Sequence, residues 1–64
     1  MRFKELDTVT LLHEREGVRA KASGTVLEVY ADTGSYLVEF DDVEKVIELK
    51  DGDLLAAGGL LSQA

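Results

Sequence analysis

The chain has 64 residues, no cysteine, no proline and a single histidine, and its thirteen acidic residues against seven basic ones leave a net charge of -6. That length allows one domain with a marginal core, worth rarely more than about 3–5 kcal/mol. It excludes disulfides and thiolate metal centres, and a zinc site would need mostly carboxylates besides His13, so no cofactor or metal is expected. The acidic balance also opposes the phosphate neutralisation on which nucleic-acid binding depends.

Phe3 to Leu12 reads as the first strand. Thr8-Val9-Thr10-Leu11 alternates polar and apolar residues, the period of a half-buried strand. Val9 and Leu11 are expected inward, with Phe3 and Leu6 plugging one end. His13-Glu-Arg-Glu-Gly17 breaks the alternation, so residues His13 to Ser23 are expected to form a surface loop. Val18 is its one apolar residue longer than alanine, and should tuck back onto the core.

Gly24 to Tyr30 reads as the second strand, with Thr25, Leu27 and Val29 on one face and Val26, Glu28 and Tyr30 on the other. Both faces are largely apolar, as in a long strand that bends and serves two sheets. Ala31-Asp32-Thr33-Gly34-Ser35 has turn chemistry. Tyr36-Leu-Val-Glu-Phe40 should pair back as a hairpin, with Tyr36, Val38 and Phe40 sharing a face. After Asp41-Asp42, Val43 to Leu49 reads as a fourth strand with Ile47 and Leu49 inward. Asp53-Leu54-Leu55 suits a short helical turn that closes the barrel end through Leu54. Residues 1–55 are thus expected to form the domain, and residues 56–64, with Gly58-Gly59 and Leu60-Leu61, a C-terminal tail.

The order of these segments predicts an all-β fold: a small SH3-like barrel of about five antiparallel strands with a short helical turn near the C-terminus. The stretches Phe3–Leu12, Gly24–Tyr30, Ser35–Phe40, Ile47-Glu-Leu49 and Asp53-Leu-Leu55 cover most of the chain. Together they resemble a family of short bacterial proteins known as domain of unknown function 4926, within the SH3-like and KOW-like small barrels. Where that family carries a Gly-Asp pair before the glycine opening strand two, this chain has Ala22-Ser23. The resemblance implies a fold and transfers no catalytic residue.

The residues give little basis for catalysis. His13 is the one side chain that titrates near neutrality unperturbed, and its polar neighbours mark it as an exposed loop histidine. Ser23, Ser35 and Ser62 lack a nucleophile-elbow context. Asp51-Gly52-Asp53 lacks the later ligands of a calcium loop. Neither Gly58-Gly59 nor the Gly17 to Gly24 segment has the ending of a phosphate loop. The expectation is therefore a non-enzymatic acidic interaction module, an accessory or neutralising partner of a basic protein. Asp41, Asp42, Glu44, Asp51 and Asp53 are its expected binding residues, and a second copy of the chain is another candidate partner.

The alternative is a KOW-like RNA- or ribosome-associated domain, carried by Arg15, Arg19, Lys21, Tyr30 and Tyr36 on one face. Met1-Arg-Phe-Lys-Glu is not followed by an apolar segment, and no run approaches membrane-spanning length, so a cytoplasmic location is expected.

Overall fold

The computed structural model describes residues 2–57. They form one antiparallel sheet of five strands: β1 (Thr8–Leu11), β2 (Ser23–Tyr30), β3 (Ser35–Phe40), β4 (Lys45–Lys50) and β5 (Leu54–Ala56). The order across the sheet is β4-β3-β2-β1-β5. Strands one to four run as a meander. A single 3-10 turn, Asp51–Asp53, then carries the chain back so that β5 pairs with β1. This is the strand order of an SH3-like barrel, and the all-β expectation holds.

The core lies where strand alternation puts it. Val9 and Leu11 of β1, Tyr36, Val38 and Phe40 of β3, and Ile47 and Leu49 of β4 are all buried. Phe3 closes one end, its ring edge-on to Tyr36 at 5.3 Å between centroids. Val18 folds back into the core from the β1–β2 connection.

Besides the start of β4, which lies at Lys45 and leaves Val43 in the preceding turn, four local expectations change. Leu6 does not plug the barrel: it is 78% exposed, at a tight turn where Asp7 N–H donates to Lys4 O (3.1 Å) and Lys4 N–H to Asp7 Oδ2 (3.0 Å). That turn shortens β1 to Thr8–Leu11. The expected surface loop from His13 to Ser23 contains a small hairpin, with Arg15 bridged to Val18, and gives up Ser23 to β2. Its two central residues, Glu16 and Gly17, have φ of 50° and 88°, the signature of the primed turns that match strand twist. The helical turn lies two residues earlier than expected, at Asp51–Asp53, which frees Leu54, Leu55 and Ala56 to supply the fifth strand. Ala56, placed at the head of the tail, pairs with Val9, and residues 58–64 lie outside the described residues.

The alternation of β2 is the fourth correction. Its register with β3 runs Val26↔Val38 and then Glu28↔Leu37, so Leu27 is an extra residue. A bulge of this kind reverses parity along a strand. Val26 and Val29, three apart, therefore both pack on the core, while Leu27 is half-buried and Glu28 and Tyr30 are exposed. Apolar residues of both parities in β2 are explained by this bulge.

Candidate binding face

The outer surface of β2, β3 and β4 is built by the residues that alternate away from the core. Glu28, Leu37 and Glu48 stand in one cross-strand row, and Thr25, Glu39 and Val46 in the next. Adjacent strands are about 4.8 Å apart, so Glu28 and Glu48 flank Leu37 with roughly 10 Å between their backbones. Glu28, Glu39 and Glu48 are all exposed, as is Val46.

One end of this face is organised by the β2–β3 turn. Gly34, with φ of 71°, takes the left-handed step that brings Ser35 opposite Tyr30. Ser35 has the outward parity of Leu37 and Glu39, yet it is fully buried. Its hydroxyl donates to Glu48 Oε2 at 2.6 Å. With that proton committed, the 2.8 Å contact between Thr33 Oγ1 and Ser35 Oγ has Thr33 as donor. The Lys50 ammonium donates to the Thr33 carbonyl at 3.1 Å. The Thr33–Ser35–Glu48 relay fixes one carboxylate oxygen and leaves Glu48 Oε1 without a hydrogen bond from the described residues. Beside this relay lies an open depression of about 300 Å³ lined by Tyr30, Asp32, Thr33, Leu37 and Glu48.

The acidic residues singled out from the sequence are placed differently. Asp41, Asp42 and Glu44 form the β3–β4 turn, while Asp51 and Asp53 lie in the 3-10 turn at the other end of β4. They make two separate groups, and three of the five have partners within the chain. Asp42 pairs with Arg19 at 2.8 Å, and Asp53 with Arg15 at 2.9 Å. Asp51 Oδ1 accepts the Tyr36 hydroxyl.

The residues expected to bind RNA lie in three settings: the β1–β2 connection, the core and the outer face. Arg15 and Arg19 are ion-paired to those acidic residues. Tyr36 is fully buried and offers no ring for stacking, because its parity puts it in the core. Lys21 is exposed, in left-handed backbone with φ of 72°. Tyr30 is 37% exposed and belongs to the acidic outer face. The two competing residue sets are largely each other's partners.

Tyr36 is also the described group whose titration is clearly displaced. Burial pushes its hydroxyl above the usual tyrosine value, and the hydrogen bond to Asp51 reinforces the shift. His13 is exposed in the β1–β2 connection. Among the described residues there is no group of three or more His, Asp or Glu side chains placed to hold a metal ion, and no helix long and apolar enough to cross a membrane.

Sequence reasoning passed over Glu28, Glu48, Thr33 and Ser35. The signal that could have found them is the polar half of the alternation in β3 and β4, Ser35-x-Leu37-x-Glu39 beside Val46-x-Glu48-x-Lys50. No protein family, curated protein or solved structure matches the chain.

Proposed function

We propose that the chain is a non-enzymatic protein-interaction module, an accessory or neutralising subunit that receives a basic partner on the outer face of β2, β3 and β4. One observation carries this reading. Glu28, Glu39 and Glu48 surround Leu37 and Val46 on that face, whereas both ion pairs among the described residues lie on the β1–β2 connection. The face thus stays net negative and free of ion pairs among the described residues, with the Lys50 ammonium at its end engaged by the Thr33 carbonyl, next to exposed apolar surface. Uncompensated surface charge steers a basic partner and raises its association rate, and apolar contact then holds it. A core this small also gains stability from a partner that binds only the folded state.

The test is purification of the tagged full chain from its host at low salt, beside a variant carrying Glu28→Lys, Glu39→Lys and Glu48→Lys. A stoichiometric protein that is lost both on adding salt and in the triple variant supports the reading. Retention of the same protein by the triple variant overturns it. So does nuclease-sensitive enrichment of RNA in place of a protein.

A further inference from the structure

We infer that the depression between Tyr30 and Glu48 is a receptor for an arginine side chain of the partner; this rests on the interaction-module reading and names the chemistry of its central contact. The depression combines the three surfaces that an alkylguanidinium uses. Glu48 supplies a carboxylate already oriented through Ser35 and Thr33, with Oε1 accepting no hydrogen bond from the described residues. Tyr30 supplies an aromatic side chain that is 37% exposed. Leu37 gives an apolar wall for the methylene stem, and Asp32 a second carboxylate on the rim.

Arginine fits this lining better than lysine. A planar guanidinium can stack on an aromatic face and direct its edge at a carboxylate, whereas an ammonium is a compact, strongly hydrated charge. The Lys50 ammonium already lies beside the turn, engaged with the Thr33 carbonyl. It leaves the site net negative, because Asp32 and Glu48 line the depression and Glu28 flanks Leu37 from the far side. The depression is open to solvent and small, at about 300 Å³. That suits one side chain presented by a partner surface; sites for free small molecules enclose most of the ligand. A carboxylate held in place before binding loses little freedom on contact, which favours affinity.

The experiment is a nitrogen-15 amide NMR titration of the full chain at low salt. One probe is N-acetyl-arginine methylamide, the other its neutral citrulline counterpart. The expected result is saturable shifts confined to residues 30–33, 37 and 48 with the arginine probe, and none with citrulline. Glu48→Gln keeps an acceptor for Ser35 and removes the charge, so it should weaken arginine binding about three- to fivefold, the loss of an exposed charge pair. Tyr30→Ala should weaken it several-fold and Tyr30→Phe should not, all three variants keeping the native spectrum. Shifts spread over the acidic surface without saturation overturn the assignment, as does equal response to citrulline or unchanged binding by Glu48→Gln. If the arginine probe fails while the purified partner still requires Glu28, Glu39 and Glu48, the receptor is wrong and the module stands. If the triple variant keeps its partner, the module reading itself fails.

Discussion

Arg19 grips a single carboxylate oxygen of Asp42 with two nitrogens, Nε at 2.9 Å and Nη2 at 2.8 Å. Arg15 makes the corresponding contact with Asp53, and the Lys45 ammonium donates to the Glu16 carbonyl. The β1–β2 connection is therefore tied to residues just before, at the start of, and just after β4. Its conformation is set by charges that, read along the chain, looked available for binding.

These ties differ in worth. The Arg19–Asp42 pair is largely solvated, with side chains 79% and 44% exposed. Arg19→Ala should lower stability by less than about 1 kcal/mol, as for other exposed pairs. Asp53 is more enclosed, and its Oδ2 accepts from both Arg15 Nη2 and the Lys50 backbone N–H. Asp53→Ala removes a turn acceptor together with an ion pair, and should cost about 1–2 kcal/mol. Urea denaturation of the two variants orders them; a larger loss for Arg19→Ala would reverse this ranking.

The two hairpins flanking β3 have four-residue connections, Ala31 to Gly34 and Asp41 to Glu44, each ending in a left-handed residue. Gly34 has φ of 71° and Glu44 φ of 49°. A left-handed non-glycine residue costs about 1–2 kcal/mol, partly offset by the greater chain entropy that glycine loses on folding. Glu44→Gly should therefore stabilise the fold by about 0.5 kcal/mol. Gly34→Ala should destabilise it by about 0.5–1 kcal/mol through the backbone alone, since a Cβ there meets nothing within 4 Å. Thermal melts of both variants should move in opposite directions.

Gly24 is required for a different reason. A Cβ built on it would lie 2.8 Å from Val38 Cγ1, 2.9 Å from the Glu39 carbonyl oxygen and 2.9 Å from Phe40 Cδ1. The carbonyl belongs to the paired strand and cannot rotate away. Gly24→Ala should cost about 1–3 kcal/mol, the range for overpacking. A denaturation midpoint like that of the unmodified chain would show that β2 and β3 can separate to admit the methyl group.

The positions of these glycines and the inward sets of β1, β3 and β4 were legible because period-two alternation and turn chemistry are local signals. Leu6 was not. With φ of 73° and its N–H donating to Val26 O at 2.7 Å, it is held by a turn that hydrophobicity alone does not reveal. The bulge at Leu27 was hidden likewise, because only the partner strand shows that one residue is extra. The candidate face was half legible. Alternation opposite Tyr36, Val38 and Phe40 leaves Leu37 and Glu39 on the other face of β3, but their neighbours Glu28 and Glu48 come from cross-strand register. Ser35 has the composition of a turn residue, and its role comes from the Glu48 carboxylate 13 positions away. Ion pairing between Arg15 and Asp53, 38 positions apart, follows from the 3-10 turn that returns the chain to β1 and from no local pattern.

Leu6 also yields a direct test. Its side chain is 78% exposed and its backbone left-handed, so it contributes little packing while carrying strain. Asparagine tolerates that conformation better. Leu6→Asn should raise stability by up to about 1 kcal/mol, measured by urea denaturation. A loss would mean that the leucine makes contacts outweighing its strain.

Tyr36 links the core to alkaline stability. Its hydroxyl donates to Asp51 Oδ1 and accepts the Phe3 backbone N–H at 3.2 Å. Burial first, then the Asp51 contact, raises its pKa above the ordinary 10.0. The folded state therefore keeps the phenolic proton at a pH where the unfolded chain has begun to lose it. Between those two values the unfolded state binds fewer protons, so stability falls as pH rises. The contribution is intact below about pH 10 and is lost as pH climbs from there through the folded pKa. Tyr36→Phe removes this dependence, and should cost about 1–2 kcal/mol at neutral pH by leaving the Phe3 N–H without its acceptor. Paired urea titrations at pH 8 and pH 11 measure both effects. The unmodified chain should lose more stability between the two conditions than the variant does. Equal losses would show that the alkaline transition belongs to other groups.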